Sequence, residues 1–318
     1  MGRLLEVESL RVTFRQKDGD AYAVRDVSLA LDEGGSLGIV GESGSGKSVT
    51  SMALMGLLAS PPAEIRMERM NFDGAAITDL SRRGLRGIRG RGMAMVFQEP
   101  MTSLDPVFTV GSQLVETLLV HLKVSKKEAG AMSESLLARV EIPDPAAVMR
   151  AFPHQLSGGM RQRVMIAMAV SCGPKLLIAD EPTTALDVTI QAQVLELIKT
   201  LQSERGMALM MITHDLGVIA ETVDRVAVMY GGFVMETAEV GDLFASPAHP
   251  YTRALLGSIP RTDADAKDAL VAIPGGSPIP TNPPGGCPFH PRCAEAQPRC
   301  AKDMPSTTIL GTTRSARC

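Results

Sequence analysis

Gly41-Glu42-Ser43-Gly44-Ser45-Gly46-Lys47-Ser48 is the stretch on which the fold turns. It fits the phosphate-loop pattern of a glycine, four free positions and then Gly-Lys-Ser. The flanks match what that pattern needs. Ser36-Leu37-Gly38-Ile39-Val40 reads as a short apolar strand entering the loop, and Ser48 to Leu58 reads as a helix ended by Pro61-Pro62. In such a loop Gly41, Ser43, Gly44, Ser45 and Gly46 let consecutive backbone N–H groups turn inward around phosphate oxygens. The helix N-terminus adds partial positive charge, Lys47 reaches the outer phosphates, and Ser48 ligates Mg²⁺.

A second stretch supplies the chemistry that a phosphate loop lacks. Leu176-Leu177-Ile178-Ala179-Asp180-Glu181 is an apolar strand ending in two acids. Asp180 suits the Mg²⁺ shell, and Glu181 suits a base that polarises attacking water. A buried strand ending in acidic loop residues is common, so this pattern gains its meaning from the loop upstream.

Around these two anchors the chain reads as α/β and mostly parallel, a P-loop NTPase core. Residues 3–14 and 24–31 alternate apolar and polar groups and form an N-terminal antiparallel β part. Helical runs at Ser112–Leu122 and Lys126–Val140 mark an inserted helical subdomain at about 100–170. Strands return at Lys175–Ala179 and Ala208–Thr213, and Gly231-Gly232 joins a hairpin from Arg225–Tyr230 to Phe233–Thr237. After Pro260 the composition shifts to Pro, Gly and Cys, with 273–280 reading as an extended linker. The expected division is therefore a nucleotide-binding domain at 1–260 and a small Cys-containing C-terminal extension at 261–318.

Composition narrows the function. The 318 residues are 45% hydrophobic and 21% charged, enough for real cores, and 32 basic against 35 acidic residues leave a net charge of -3. No general basic field exists to hold nucleic acid. Aromatics at 3% and the absence of Trp argue against a base-stacking platform. No apolar run approaches the 18 or more residues of a membrane span, and the first residues alternate acidic with apolar groups, which predicts the cytoplasm rather than secretion.

Leu156-Ser157-Gly158-Gly159-Met160-Arg161-Gln162-Arg163 lies between the two anchors, and with it the chain resembles the nucleotide-binding subunits of ABC transporters. The family's ordered set is present: the phosphate loop at 41–48, a Q-loop glutamine at Gln98, the signature at 156–160, Walker B at 176–181, the D-loop Ala185-Leu186-Asp187 and a switch histidine at His214. The resemblance covers about residues 3–260. One departure is Met160 where the best-known signature has Gln, a difference that leaves the phosphate contacts of Ser157, Gly158 and Gly159 in place.

The resemblance implies a head-to-tail dimer with a second ATPase subunit, most simply a heterodimer. Each ATP is then sandwiched between one subunit's loop and the other's signature, so that ATP closes the dimer and hydrolysis opens it. It also implies that Gln98 senses metal and water and signals to the membrane partner, that His214 holds the γ-phosphate, and that Asp187 joins the nucleotide site. Phe14, at the end of the first strand, is the first candidate to stack on adenine. Tyr22 competes, because the Arg15–Asp20 insertion blurs the alignment.

Phe97-Gln98-Glu99-Pro100-Met101-Thr102-Ser103-Leu104-Asp105-Pro106, His154-Gln155, and His249-Pro250-Tyr251-Thr252-Arg253-Ala254-Leu255-Leu256 look like the oligopeptide and dipeptide permease branch. That branch imports. The resemblance implies two transmembrane permease subunits, an extracytoplasmic substrate-binding protein, no nucleic acid, and a peripheral position on the cytoplasmic face of the inner membrane. Nickel, glutathione and opine importers share the branch and stay open. A soluble ABC ATPase of DNA repair or translation and a cluster-based redox regulator are the rivals from other classes.

Four of the five cysteines fall in the last 32 residues. Cys287, Cys293, Cys300 and Cys318 match both an iron-sulfur cluster and tetrahedral zinc. The tail resembles the C-terminal extension of the peptide-permease branch, which implies a [4Fe-4S] cluster; zinc and unligated thiols remain alternatives. Cys172 reads as a small buried residue, and His290 as a turn residue beside prolines.

Overall fold

A computed structural model describes residues 2–78, 82–99, 103–184, 186–259 and 273–318. Ala185 of the D-loop, Pro100, Met101 and Thr102 of the permease-like stretch, and residues 260–272 before the linker lie outside the described residues. In chain order the strands are β1 (Arg3–Phe14), β2 (Ala21–Asp32), β3 (Ser36–Val40), β4 (Ala63–Arg66), β5 (Arg69–Phe72), β6 (Ala75–Ala76), β7 (Met93–Val96), β8 (Leu176–Asp180), β9 (Ala208–Ile212), β10 (Arg225–Tyr230), β11 (Phe233–Glu239), β12 (Thr308–Ile309) and β13 (Ser315–Ala316).

The chain forms two compact units. The first comprises Met1–Asp32, Ser36–Asp79 and Met211–Cys318. In it β1 and β2 pair antiparallel with register shifts, one of them at Ser9, whose φ is 49°. Leu5, Val7, Leu10, Val12, Val24, Val27 and Leu31 turn inward from this ribbon, as alternation requires of a half-buried strand pair. β4 and β5 add antiparallel to β1, and β6 to β5. β3 runs parallel to β10, and β10 turns back into β11 through Gly231 and Gly232 at φ 55° and 83°. Two successive positive φ values are what the tight hairpin turn demands. β13 pairs antiparallel with β11, so the end of the chain extends a sheet of this unit.

The second unit comprises Glu33–Gly35 and Leu80–Met210. β7 and β8 pair in parallel and are buried at every position, as near-continuous apolar strands covered on both faces should be. The helices Val110–His121, Lys126–Arg139 and Pro145–Arg150 follow β7. Thr109, Ser125 and Asp144 cap their N-termini, and Glu128 completes a capping box with Ser125; each such cap is worth about 1 kcal/mol. Leu118, Ala129 and Cys172 form a buried cluster here. Cys172 is thus a core residue, its thiol pushed up by burial.

Two features differ from the sequence reading and one extends it. The expected N-terminal antiparallel part is enlarged by β4 and β5 on β1, while β3 with β10, β2 with β11, and β7 with β8 are parallel. β4 to β6 show no readable alternation because they are only 4, 4 and 2 residues long. The helix after the phosphate loop spans Lys47–Leu54 and stops well before Pro61. Gly56, at φ 61°, takes the left-handed position, and the Leu57 N–H closes back on the Met52 carbonyl at 2.8 Å.

Candidate functional site

The phosphate loop is built by exclusion of side chains. A Cβ at Gly41, where φ is 153°, would sit 2.1 Å from the Met229 carbonyl oxygen, and one at Gly46, where φ is 103°, would sit 2.5 Å from that of Ala23. Only glycine lets the loop lie this close to β10 and β2. The helix Lys47–Leu54 that follows has no side-chain cap and no acid in its first turn, so its positive end is left for an anion. The buried Ser45 hydroxyl has no hydrogen-bond partner, a polar atom suited to a ligand oxygen. Lys47 is buried and donates its Nζ to the carbonyls of Gly41 at 2.7 Å and Glu42 at 3.1 Å, which holds the ammonium inside the loop. Ser43 and Gly44 are exposed at the turn, and Ser48 is half-buried.

Tyr22 and Phe14 occupy different places in this unit. Tyr22 is 45% exposed and lines a cavity of about 460 Å³ with Arg11, Arg15, Arg25 and Phe233. Its strand leads directly into Ala23 and Val24, which touch Gly46 of the loop. Phe14 pairs with Ala21 and Ala63, is half-buried, and does not line that cavity. His214 is exposed just after β9, between Thr213, whose hydroxyl accepts from the Asp215 N–H at 3.0 Å, and Asp215, the cap of the helix Leu216–Thr222.

In the other unit β8 ends on Asp180, which is 3% exposed. Glu181 follows with φ 46°, a left-handed conformation that a non-glycine residue adopts at a cost and that recurs at working sites. Its Oε2 accepts from the Gln98 side-chain amide at 2.9 Å and from the Thr184 hydroxyl at 2.9 Å. The structure therefore brings together two of the residues singled out in the sequence, Gln98 and Glu181. It adds Thr184, which no spacing rule indicated.

Ser157 caps the helix Gly158–Val170, its hydroxyl accepting from the Met160 N–H at 3.3 Å. Ser157 and Gly158 are exposed, while a Cβ on Gly159 would meet Ile190 at 2.8 Å. Asp187 caps the helix Val188–Arg205 through the Ile190 N–H. Ser157, Gly158, Gly159, Leu186 and Asp187 line one open cavity of about 530 Å³. Arg163 braces its floor, bonding the Val140 carbonyl at 2.8 Å and the Glu141 carboxylate at 2.7 Å.

Cys287, Cys293, Cys300 and Cys318 line a single cavity of about 440 Å³, and none is in a disulfide. Two 3-10 turns, His290–Arg292 and Pro298–Ala301, carry Cys293 and Cys300, and the Cys287 N–H donates to the Cys300 carbonyl at 2.8 Å. Burial first, and then the neighbouring thiolates, push up the thiols of Cys287 and Cys318. Among the described residues no three His, Cys, Asp or Glu side chains gather tightly enough for a metal ion. His290 sits in the first of these turns, its Nδ1 2.9 Å from the Cys287 carbonyl.

Comparison with known proteins agrees with this layout. Residues 24–184 match the family described as ABC transporter, and residues 235–300 match the oligopeptide/dipeptide transporter C-terminal region. The dipeptide transport ATP-binding protein DppD of Bacillus subtilis (strain 168) is 49% identical over 318 residues, covering 100% of this chain and 95% of that protein. The oligopeptide transport ATP-binding protein OppD of Salmonella typhimurium is 51% identical over 302 residues, 95% of this chain and 89% of that protein. Among solved structures, the ATP-binding cassette MJ0796, described as a dimer in a post-hydrolysis state bound to ADP and Pi, superimposes with a TM-score of 0.66 at 27% identity. It covers 74% of this chain and 99% of that chain. With a phosphate loop, a Walker B strand and a signature helix in the family's order, and relatives matching from end to end, the chain belongs to the ABC transporter family of ATP-binding subunits and is an ABC ATPase.

Proposed function

We propose that this subunit powers uptake of dipeptides or oligopeptides across the cytoplasmic membrane, docked peripherally on two permease subunits that receive cargo from an extracytoplasmic binding protein. The observation that carries the cargo class is the match of residues 235–300 to the oligopeptide/dipeptide C-terminal region. Exposed Val107 and Phe108, at 70% and 55%, offer apolar surface shortly after Gln98 for a membrane partner.

In this reading residues 41–48 grip the ATP phosphates with backbone N–H groups and the Lys47 ammonium, and Tyr22 rather than Phe14 stacks on adenine. Ser48, Gln98 and Asp180 would hold Mg²⁺, which neutralises phosphate charge when bound. Glu181 takes the proton from the attacking water, its carboxylate oriented by Gln98 and Thr184, and His214 steadies the γ-phosphate. Ser157, Gly158, Gly159 and Asp187 serve the ATP of a second ATPase subunit in a head-to-tail dimer. The exposure of Ser157, Gly158 and Asp187 and the open cavity they line support that assignment.

The four cysteines around one cavity fit a group larger than a single ion, and a [4Fe-4S] cluster would be held by Cys287, Cys293, Cys300 and Cys318. When bound, it would cross-link segments of the tail that have little apolar core of their own. Anaerobic purification with iron and sulfide analysis should give about four irons per chain; an iron-free, colourless protein would remove the cluster and leave the ATPase.

Transport is tested by reconstituting the complex in proteoliposomes. ATP turnover should rise with peptide-loaded binding protein, and stimulation by nickel, glutathione or an opine instead would reassign the cargo. Glu181→Gln should retain ATP binding while turnover falls about 10²-fold or more, and unchanged turnover would remove the base assignment.

A further inference from the structure

The C-terminal extension reaches the phosphate loop through the side chains of Ser277 and Arg292, and of the two only Arg292 carries charge. Arg292, in the 3-10 turn beside Cys293, has a side chain only 8% exposed and engages on every nitrogen. Its Nη1 donates to the Glu42 carboxylate at 2.7 Å and to the Tyr230 hydroxyl at 3.0 Å, its Nε to the Pro274 carbonyl at 2.8 Å, and its Nη2 to the Ile273 carbonyl at 3.3 Å.

Glu42 is the second residue of the loop and is tied along its whole length. Its carboxylate also accepts from the Ser277 hydroxyl, its N–H donates to the Tyr251 hydroxyl at 3.0 Å, and its carbonyl accepts from Lys47 Nζ at 3.1 Å. Tyr251, Tyr230 and Phe289 back this arrangement as an aromatic cluster with centroids 4.5 to 5.3 Å apart. Burial alone would raise the Glu42 carboxyl, but the bonds from Arg292 and Ser277 and the charges of Arg292 and Lys47 hold it below the usual carboxylate range.

An anionic side chain inside a loop that binds anionic phosphates is a liability unless neutralised. Left without Arg292, the Glu42 carboxylate would compete with phosphate for Lys47 and repel it through a poorly solvated medium. A guanidinium suits the task because its planar fork can serve the carboxylate, a phenol and backbone carbonyls at once.

We propose that Arg292 is a positioning residue of the nucleotide site, neutralising and fixing Glu42 so that residues 41–48 stay shaped for phosphate, and that the C-terminal extension thereby sets ATP affinity. The inference rests on reading residues 41–48 as the ATP site. The test is titration of the full-length chain with MgATP, read by equilibrium dialysis, for wild type, Arg292→Gln, Arg292→Lys, Glu42→Gln and the double variant Arg292→Gln/Glu42→Gln. Arg314→Gln, which breaks the extension's ion pair with Glu236, serves as a structural control.

Arg292→Gln should weaken ATP about tenfold, roughly one charge-assisted hydrogen bond, and Arg292→Lys should recover part of the loss. The double variant should bind within about threefold of wild type, because the unpaired carboxylate is gone. Arg314→Gln should lower the melting temperature and leave ATP affinity in place. Wild-type affinity in Arg292→Gln, or a loss as large in the double variant, would overturn the role of Arg292. A wild-type chain that binds no ATP would overturn the nucleotide reading itself.

Discussion

The phosphate loop at 41–48 and the signature at 156–160 are both glycine-rich helix N-termini, yet they are finished differently. The first is closed in on itself: Gly41 and Gly46 lie against main-chain carbonyls, Lys47 folds back onto the loop, and Glu42 is tied from three other segments. The second stands in the open, with Ser157 and Gly158 exposed and a Cβ at Gly158 meeting nothing nearer than Leu186 at 3.8 Å. A loop that must hold phosphates alone needs a rigid backing. On the proposed assignment the signature acts on the ATP of a second subunit, and a loop with that task needs surface.

The sharpest way to break this contrast is Gly41→Ala. Its Cβ would invade the Met229 carbonyl at a φ that L side chains avoid, so about 4 kcal/mol of stability should be lost together with ATP binding. Thermal melting and nucleotide titration check both, and a stable ATP-binding Gly41→Ala would mean the backing is soft.

Acid should loosen the backing next. His249, fully buried, uses its Nδ1 to accept the Tyr251 N–H at 3.0 Å, and Tyr251 in turn bonds Glu42. Burial first, then the charge of Arg253, lowers its pKa from 6.5 to about 4. A depressed folded pKa means stability is full above about 6.5 and lost as pH falls toward 4, by up to about 3 kcal/mol. Hydrogen exchange of the Glu42 amide, corrected for intrinsic rate, should lose protection across that window, whereas the Met160 amide of the signature should not.

Ser157→Ala removes a helix cap and should cost about 1 kcal/mol without changing ATP affinity of the isolated chain, as read by melting and titration. Gly158→Ala has the smallest expected effect on the fold, within about 0.5 kcal/mol, but should abolish ATP-driven dimerisation in a Glu181→Gln background. Light scattering checks it, and an intact dimer would place the second phosphate grip elsewhere.

Much of the site was legible because its parts are local. A glycine spacing, a strand ending in two acids, and a serine before two glycines each announce themselves within eight residues. The strand Ser36–Val40 was read to the residue for the same reason. Less legible were β4 to β6, too short for alternation, and their addition to β1, because which strand a short segment joins follows from where the chain returns.

The sequence by itself determined the phosphate loop, the acidic strand, the signature and the four tail cysteines, since each depends on backbone freedom or on chemistry carried by adjacent residues. Only the tertiary structure decided that Gln98 and Thr184 share the Glu181 carboxylate, that Tyr22 rather than Phe14 opens onto a cavity, and that the cysteines surround one space. It alone decided that Arg292 closes on Glu42, 250 positions away. Contacts of that separation leave no periodicity to read; they exist because folding places a half-buried carboxylate where one guanidinium can reach it.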